Sequence, residues 1–180
     1  MTGEPMLFFH DTSVLVNFHR AGLVPALGRL LGGNVRWTGT IRVECARKQR
    51  QLSLPGLVDA ADHLLGDPLQ PDEGEHGSIR QLRRQMASPQ DHPQQHLGEA
   101  ETITIIQKRL LRAVFVTDDR AATTWAQPIE CVGTWKLIRL AHRRGVVDRD
   151  DAVRLWQAFA DAGGTPPRDI ATRQLFEESL

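Results

Sequence analysis

The sequence predicts an α/β fold built around a mostly parallel sheet, and three observations carry that expectation. Short apolar runs, Met6–His10, Asn34–Trp37, Ala113–Val116 and Ile129–Val132, alternate with stretches of helical periodicity, as in strand–helix–strand crossovers. The best of these runs are almost free of polar side chains, as buried strands are. Two of them end directly on carboxylates, at Asp11 and at Asp118-Asp119. In a parallel sheet the reaction site lies beyond the carboxyl ends of the strands. A chain of 180 residues fits one domain over 1–180. At that size roughly 70% of the unfolded surface is buried on folding, so no disulfide or metal staple is required.

The elements follow in order. Met6-Leu-Phe-Phe-His10 is the first strand, stopped by Asp11-Thr12-Ser13, whose side chains are helix N-cap chemistry. Helices are expected over Val14–Ala21 and Pro25–Leu31, the second ended by Gly32-Gly33, and Asn34–Trp37 is the second strand. Thr38-Gly39-Thr40 opens a helix to about Leu52 with Ile41, Cys45 and Lys48 roughly on one face, and Gly56–Leu65 reads as another short helix. From Gly66 to Gln95 the composition shifts: Pro68, Pro71, Pro89 and Pro93 are four of the ten prolines, among many Asp, Gln, Gly and His. Only Ile79–Met86 has helical character there, so 66–96 is expected to be a mobile insertion or a long functional loop. Gly98–Leu111 is a helix with Ile103, Ile106 and Leu110 at i, i+3 and i+7. Ala113–Val116 is a strand, followed by a helix (Arg120–Ala126), a strand (Ile129–Val132) and a helix (Thr134–Arg144). Asp148 and Asp151 cap a helix through about Ala162 with Ala152, Leu155, Trp156 and Phe159 inward, the start of a C-terminal helical extension from about 148. Pro166-Pro167 breaks the chain before a short last helix.

Composition removes several classes. No apolar run approaches the ~20 residues that span a bilayer, so no membrane partner is expected. The N-terminus carries no signal-peptide pattern. Cys45 and Cys131 have no disulfide-framework or zinc spacing, which predicts a reduced, cytoplasmic setting. Lys+Arg and Asp+Glu are equal at 22 each. That balance argues against a nucleic-acid partner only if the acids are spread evenly. Arg outnumbers Lys by 19 to 3, which suits bidentate phosphate contacts, although GC-rich coding produces the same bias.

The acids are not spread evenly. Asp11 follows the first strand, Glu44 lies early in the helix after the second, Glu99 and Glu101 open the long helix, and Asp118-Asp119 cap the next strand. Taken singly, each has an ordinary reading: Asp11 as an N-cap, Glu44 as a solvated helix residue, Glu99 at a helix dipole, Glu101 as an exposed glutamate, Asp118-Asp119 as a turn. Taken together, carboxylates from distant segments converging at strand ends would repel one another unless a cation sat among them. Hard cations such as Mg²⁺ and Mn²⁺ prefer such oxygen donors. Setting these six residues aside leaves 16 acids against 22 bases, so the remaining surface is moderately basic.

The ordered motifs Phe9-His10-Asp11-Thr12-Ser13…Asn17, Val43-Glu44, Gly98-Glu99-Ala100-Glu101 and Val116-Thr117-Asp118-Asp119-Arg120-Ala121-Ala122 resemble those of PIN-domain nucleases. The run Val132–Val146, with Gly133, Thr134, Ala141 and Gly145, is similar to the Gly-Thr-x-x-x-Leu-x-x-Ala-x-x-x-Gly segment of the branch with the Gly-Glu-Ala-Glu motif. The resemblance covers most of 6–165. It implies a three-layer α/β/α domain and an Mg²⁺- or Mn²⁺-dependent endoribonuclease. Asp11, Glu44 and Asp119 would be the principal carboxylates, with Glu99 and Glu101 both matching paired glutamates of flap-endonuclease-like relatives and Asp118 beside the metal ligand. Ser13, Asn17 and Thr117 would be supporting polar groups. Many bacterial members are toxins held by a cognate antitoxin, and many are homodimers. RNA, an antitoxin and a second copy are therefore the partners the resemblance implies. The 66–96 stretch has no counterpart in that pattern. Two alternatives stand beside the endoribonuclease: a PIN-fold protein-binding scaffold with weak or no catalysis, and a structure-specific DNA nuclease suggested by the paired glutamates.

Other residues read as structural. His92 and His96 lie across Pro93, which spoils a helical pair, and belong to a solvated loop. His10 points away from the face of Asp11, and Cys45 is a buried thiol. Trp135 and Trp156 belong to the core, and Arg80, Arg83 and Arg84 form a solvated helix face.

Overall fold

The computed structural model describes residues 5–161, 163 and 165–180. Its four strands are β1 (Leu7–His10), β2 (Val35–Arg36), β3 (Ala113–Val116) and β4 (Glu130–Val132), arranged in the order β2-β1-β3-β4. Every neighbouring pair is parallel, with Phe9 opposite Arg36 on one side and Phe115 on the other. Parallel neighbours require crossovers, and helices supply them. α1 (Thr12–Arg20) and α2 (Val24–Leu31) lead from β1 to β2. α3 (Gly39–Gln51), α4 (Leu57–Leu65), α5 (Glu73–Met86) and α6 (Leu97–Lys108) lead from β2 to β3, and α7 (Arg120–Trp125) leads to β4. α8 (Thr134–Arg143), α9 (Arg149–Asp161), a 3₁₀ turn (Arg168–Ile170) and α10 (Arg173–Glu178) complete the chain.

Successive strand residues face opposite layers. Leu7, Phe9 and Phe115 pack on Ile79, Met86, Ile103, Ile106 and Ala122 from α5, α6 and α7. Phe8, Val114 and Val116 belong to the second cluster, with Val14, Leu15 and Leu27 of α1 and α2, Leu137 of α8 and Phe159 of α9. Helices thus cover both faces, and the fold is a three-layer α/β/α arrangement with a wholly parallel sheet.

Most elements form where the sequence places them, and the differences have physical causes. Within the 66–96 stretch more residues are helical than the expected Ile79–Met86. Leu69 donates to the Trp37 carbonyl at 3.0 Å and accepts from the Gly39 amide at 3.0 Å, extending the sheet edge beyond β2. α5 then begins six residues before the predicted Ile79. Its first turns, Glu73-Gly-Glu-His-Gly-Ser78, have no apolar stripe to betray a helix. What holds them is a capping box, the Glu75 amide donating to Asp72 Oδ1 at 2.9 Å and the Asp72 amide to Glu75 Oε2 at 2.8 Å. Arg109 secures the same carboxylate from the far end of α6, with Nε and Nη2 donating to its two oxygens at 2.8 and 2.7 Å.

α6 ends at Lys108, short of the predicted Leu111, and Leu110 is 86% exposed at φ 52° rather than inward. The helix is not amphipathic: it lies between α3, α5 and α7, and Gly98 together with every residue from Ala100 to Ile106 is buried. Trp135 packs tilted against Trp156 and edge-on against Phe159, and Trp156 stacks on Phe176, binding α9 and α10 to α8. Asp148 caps α9 through the Asp151 amide at 2.7 Å; the predicted helix end at Ala162 lies outside the described residues.

Candidate functional site

The chain leaves β1 toward β2 on one side of the sheet and later leaves β3 toward β4 on the other. The order therefore reverses between β1 and β3, which opens a crevice at their carboxyl ends. Asp11 and Asp119 stand at that crevice because each closes a strand and caps the next helix. Asp11 is extended (φ −81°, ψ 156°) and only 5% exposed. Its Oδ1 accepts from the Thr12 amide at 2.6 Å, and its Oδ2 accepts from Ser13 Oγ at 2.8 Å and Thr117 Oγ1 at 3.3 Å. Asp119 Oδ1 caps α7, accepting from the amides of Ala121 at 2.7 Å and Ala122 at 3.3 Å, while Oδ2 turns toward His96. Thr117 Oγ1 also accepts from the Asp119 amide at 3.1 Å, so one buried hydroxyl ties the two aspartates together.

α3 and α6 bring the glutamates. Thr12 Oγ1 donates to Glu44 Oε2 at 2.6 Å, fixing that carboxylate beside Asp11. Gly98 lets α6 close on α3: a Cβ there would stand 2.5 Å from Ile41 Cδ1 and 3.0 Å from Glu44 Oε1. The next residue, Glu99, enters the same cleft, a hollow of about 550 Å³ that Asp11, Glu44, Glu99, His96, Asp118 and Asp119 line together. Ser13 and Asn17 line it as well, and Arg47 and Lys48 complete one wall.

Burial, then the Glu44 charge, pushes the Asp11 carboxyl up to about 6 against the pull of its hydrogen bonds. Burial also raises Glu44, with Thr12 and Arg47 opposing. Glu99 is pushed up to about 8, by burial first and then by Asp11, Glu44 and Asp119. Among the described residues no Lys or Arg pairs with any of these carboxylates.

The structure separates residues that the sequence grouped. Glu101 does not line the Asp11 cleft: its oxygens accept from the Thr40 amide at 2.8 Å and Thr40 Oγ1 at 2.6 Å, in an adjoining hollow that shares Glu44. Within a helix, positions i and i+2 do not share a face. Asp118 sits at the rim, exposed, with Oδ1 accepting from the Thr134 amide at 2.8 Å at the start of α8.

His96 is the residue that sequence reasoning missed. It is no solvated loop residue: its side chain is 12% exposed, its backbone is left-handed at φ 63°, and its ring lies between two aspartates. Nε2 is 3.4 Å from Asp91 Oδ2 and Nδ1 is 3.7 Å from Asp119 Oδ2. His96, Glu99 and Asp119 each offer a donor atom, all within 4.8 Å of one another. The available signal was the His96-x-x-Glu99 spacing at a helix start. Arg83, read as part of a solvated face, donates to the carbonyls of His92 at 2.7 Å and Gln95 at 3.1 Å, pinning this loop to α5. His10 is fully buried and burial pushes it down to about 4, so it stays neutral. Cys45 is likewise fully buried, and its thiol is pushed up to about 12 by burial and by Glu44 and Asp11.

Among the described residues no helix is long and apolar enough to cross a membrane. Comparison of the chain with protein-family models, curated proteins and solved structures gives no match.

Proposed function

We propose that the protein is a divalent-metal-dependent nuclease that hydrolyses phosphodiester bonds in RNA. The supporting observation is the convergence of Asp11, Glu44, Glu99 and Asp119, from four distant segments, on one cleft at the switch point of a parallel sheet. Three of these carboxyl groups are raised by burial first, Asp11 and Glu99 also by neighbouring carboxylates, and among the described residues no Lys or Arg forms a salt bridge with any of the four. Such a set is costly unless a proton or a cation sits among the oxygens. An all-oxygen set that retains access to water suits Mg²⁺ or Mn²⁺. Asp11, Glu44, Glu99 and Asp119 would hold the ion, which supplies charge neutralisation at the scissile phosphate and a more acidic water.

The chain's own groups do the positioning. Ser13, Thr117 and the Thr12 amide hold both Asp11 oxygens, Thr12 Oγ1 holds Glu44, and the first amides of α7 hold Asp119. Donor atoms fixed in this way lose little freedom on binding an ion. Arg47 and Lys48 on the cleft wall favour the approach of a polyanion. The order of motifs shared with PIN-domain nucleases supports RNA as the substrate class. An antitoxin-like protein partner and a homodimer belong to the same reading.

The test is cleavage of single-stranded and hairpin RNA, with flap DNA in parallel, in Mg²⁺ or Mn²⁺. Wild type is compared with Asp11→Asn and Asp119→Asn, which keep hydrogen-bond acceptors at both caps. Each variant should lose at least ~100-fold in rate. Equal rates in all three proteins refute the site, and cleavage confined to flap DNA refutes the substrate.

A further inference from the structure

We infer that His96 is a nitrogen ligand of the cation bound in this cleft, and that it makes the site prefer Mn²⁺ over Mg²⁺. The inference rests on the reading of the cleft as a divalent-cation site, and goes beyond the carboxylate set on which that reading stands. Nδ1 of His96 is fully shielded from solvent and has no hydrogen-bond partner. A buried ring nitrogen without a partner is costly and calls for a proton, a water or an ion. The 3.7 Å to Asp119 Oδ2 is too long for a direct hydrogen bond, which leaves room for a bridging species between the two atoms. Donors sharing one cation at ~2.1–2.2 Å stand roughly 3 Å apart. A contraction of less than an ångström would therefore bring Nδ1 and Asp119 Oδ2 onto one ion. Glu99 offers the third donor within the same 4.8 Å.

The other ring nitrogen strengthens the case. Nε2 faces Asp91 Oδ2 at 3.4 Å, and that oxygen also accepts from the Ser88 amide at 2.7 Å. A carboxylate behind the distal nitrogen, fixing tautomer and orientation, is the usual arrangement around a metal-bound imidazole. If Nε2 carries the proton, as the neighbouring Asp91 carboxylate favours, Nδ1 keeps its lone pair free on the side of Asp119. Asp91 is thus a positioning residue. The loop that carries both residues is itself held, by Arg83 to the His92 and Gln95 carbonyls. The segment without a counterpart in the motif pattern would thereby contribute a ligand. Imidazole is a poor donor to Mg²⁺ and a better one to later divalent ions, which sets the predicted preference.

The experiment uses the full chain stripped with chelator and reloaded with Mn²⁺ or Mg²⁺. Pulsed electron paramagnetic resonance of the Mn²⁺ form reads a directly bound ¹⁴N, and calorimetry reads both affinities. Wild type should show the ¹⁴N coupling and bind Mn²⁺ at least tenfold more tightly than Mg²⁺. His96→Ala should abolish the coupling and weaken Mn²⁺ at least tenfold, with Mg²⁺ changed less than threefold. Asp91→Asn should retain the coupling and weaken Mn²⁺ severalfold. The wild-type spectrum requires no variant, so a folding defect in His96→Ala cannot mask the answer. Absence of ¹⁴N coupling in wild type, or equal losses for both metals in His96→Ala, overturns the inference. RNA cleavage without the coupling overturns it and leaves the nuclease reading intact. Coupling without cleavage supports the ligand and overturns the nuclease reading.

Discussion

Replacing Glu99 by Gln in the metal-free protein tests the electrostatics of the cleft directly. The folded protein holds Glu99 up at about 8, whereas an unfolded chain has the ordinary value of 4.5. Between these values the native state binds the extra proton, so stability falls as pH rises through the window from 4.5 to 8. Below 4.5 both states are protonated and this loss vanishes. A shift of this size corresponds to ~4 kcal/mol at pH 8, and water at the cleft mouth screens part of it, leaving on the order of 3 kcal/mol. Gln mimics the neutral acid in shape, so Glu99→Gln should stabilise the metal-free protein by that amount at pH 8 and by less than about 1 kcal/mol at pH 5. For a chain of this length the gain is a rise in Tm of roughly 6–12 °C. Thermal melts in chelator at the two pH values measure it. Saturating Mn²⁺ at pH 8 should raise the wild-type Tm and raise the variant less, since binding to the folded state adds to stability by mass action. A Gln variant no more stable than wild type at pH 8, or equally stabilised at both pH values, would refute the account of Glu99 as a mutually repelled carboxylate.

Arg109→Ala strands the Glu75 carboxylate, which is 2% exposed. Urea unfolding should show a loss of about 2 kcal/mol, below the 3–5 kcal/mol of a fully buried pair because the Arg109 side chain is 31% exposed. Gly98→Ala should cost about 1–2 kcal/mol in the same assay, despite the better helix propensity of Ala, because the new methyl meets Ile41 Cδ1. Asp119→Ala removes the α7 cap and should lower the metal-free Tm by roughly 2–4 °C, whereas Asp119→Asn should leave it close to wild type. Trp37→Phe, which deletes the 2.8 Å bond from Nε1 to the Gly66 carbonyl, should cost about 1 kcal/mol, read as a shift in urea midpoint.

Particular residues show why some of this was readable in advance. Phe8, Phe9, Val114 and Phe115 sit in uninterrupted apolar runs because a two-sided parallel sheet has no solvent face to reward a polar side chain. Asp11 and Asp119 were conspicuous because a carboxylate that ends a strand also caps a helix, and each performs that local task in the fold. α5 was mostly hidden, since its first turns depend on a capping box and on Arg109, a residue over thirty positions away. Leu110 misled because a helical repeat carries no sign of where the chain must leave α6 to enter β3.

The amino-acid sequence by itself determined the α/β alternation, the strand ends that bear carboxylates and the acidic character of the cleft, because backbone periodicity and capping act over only a few residues. Tertiary structure alone decided which acids meet. Glu99 and Glu101 differ by two positions, yet roughly 200° of helical rotation sends one to Asp11 and the other to Thr40. It also decided that His96 joins the cleft, since a loop residue's direction is set by what the loop packs against, here Arg83 on α5 and Asp91 behind the ring.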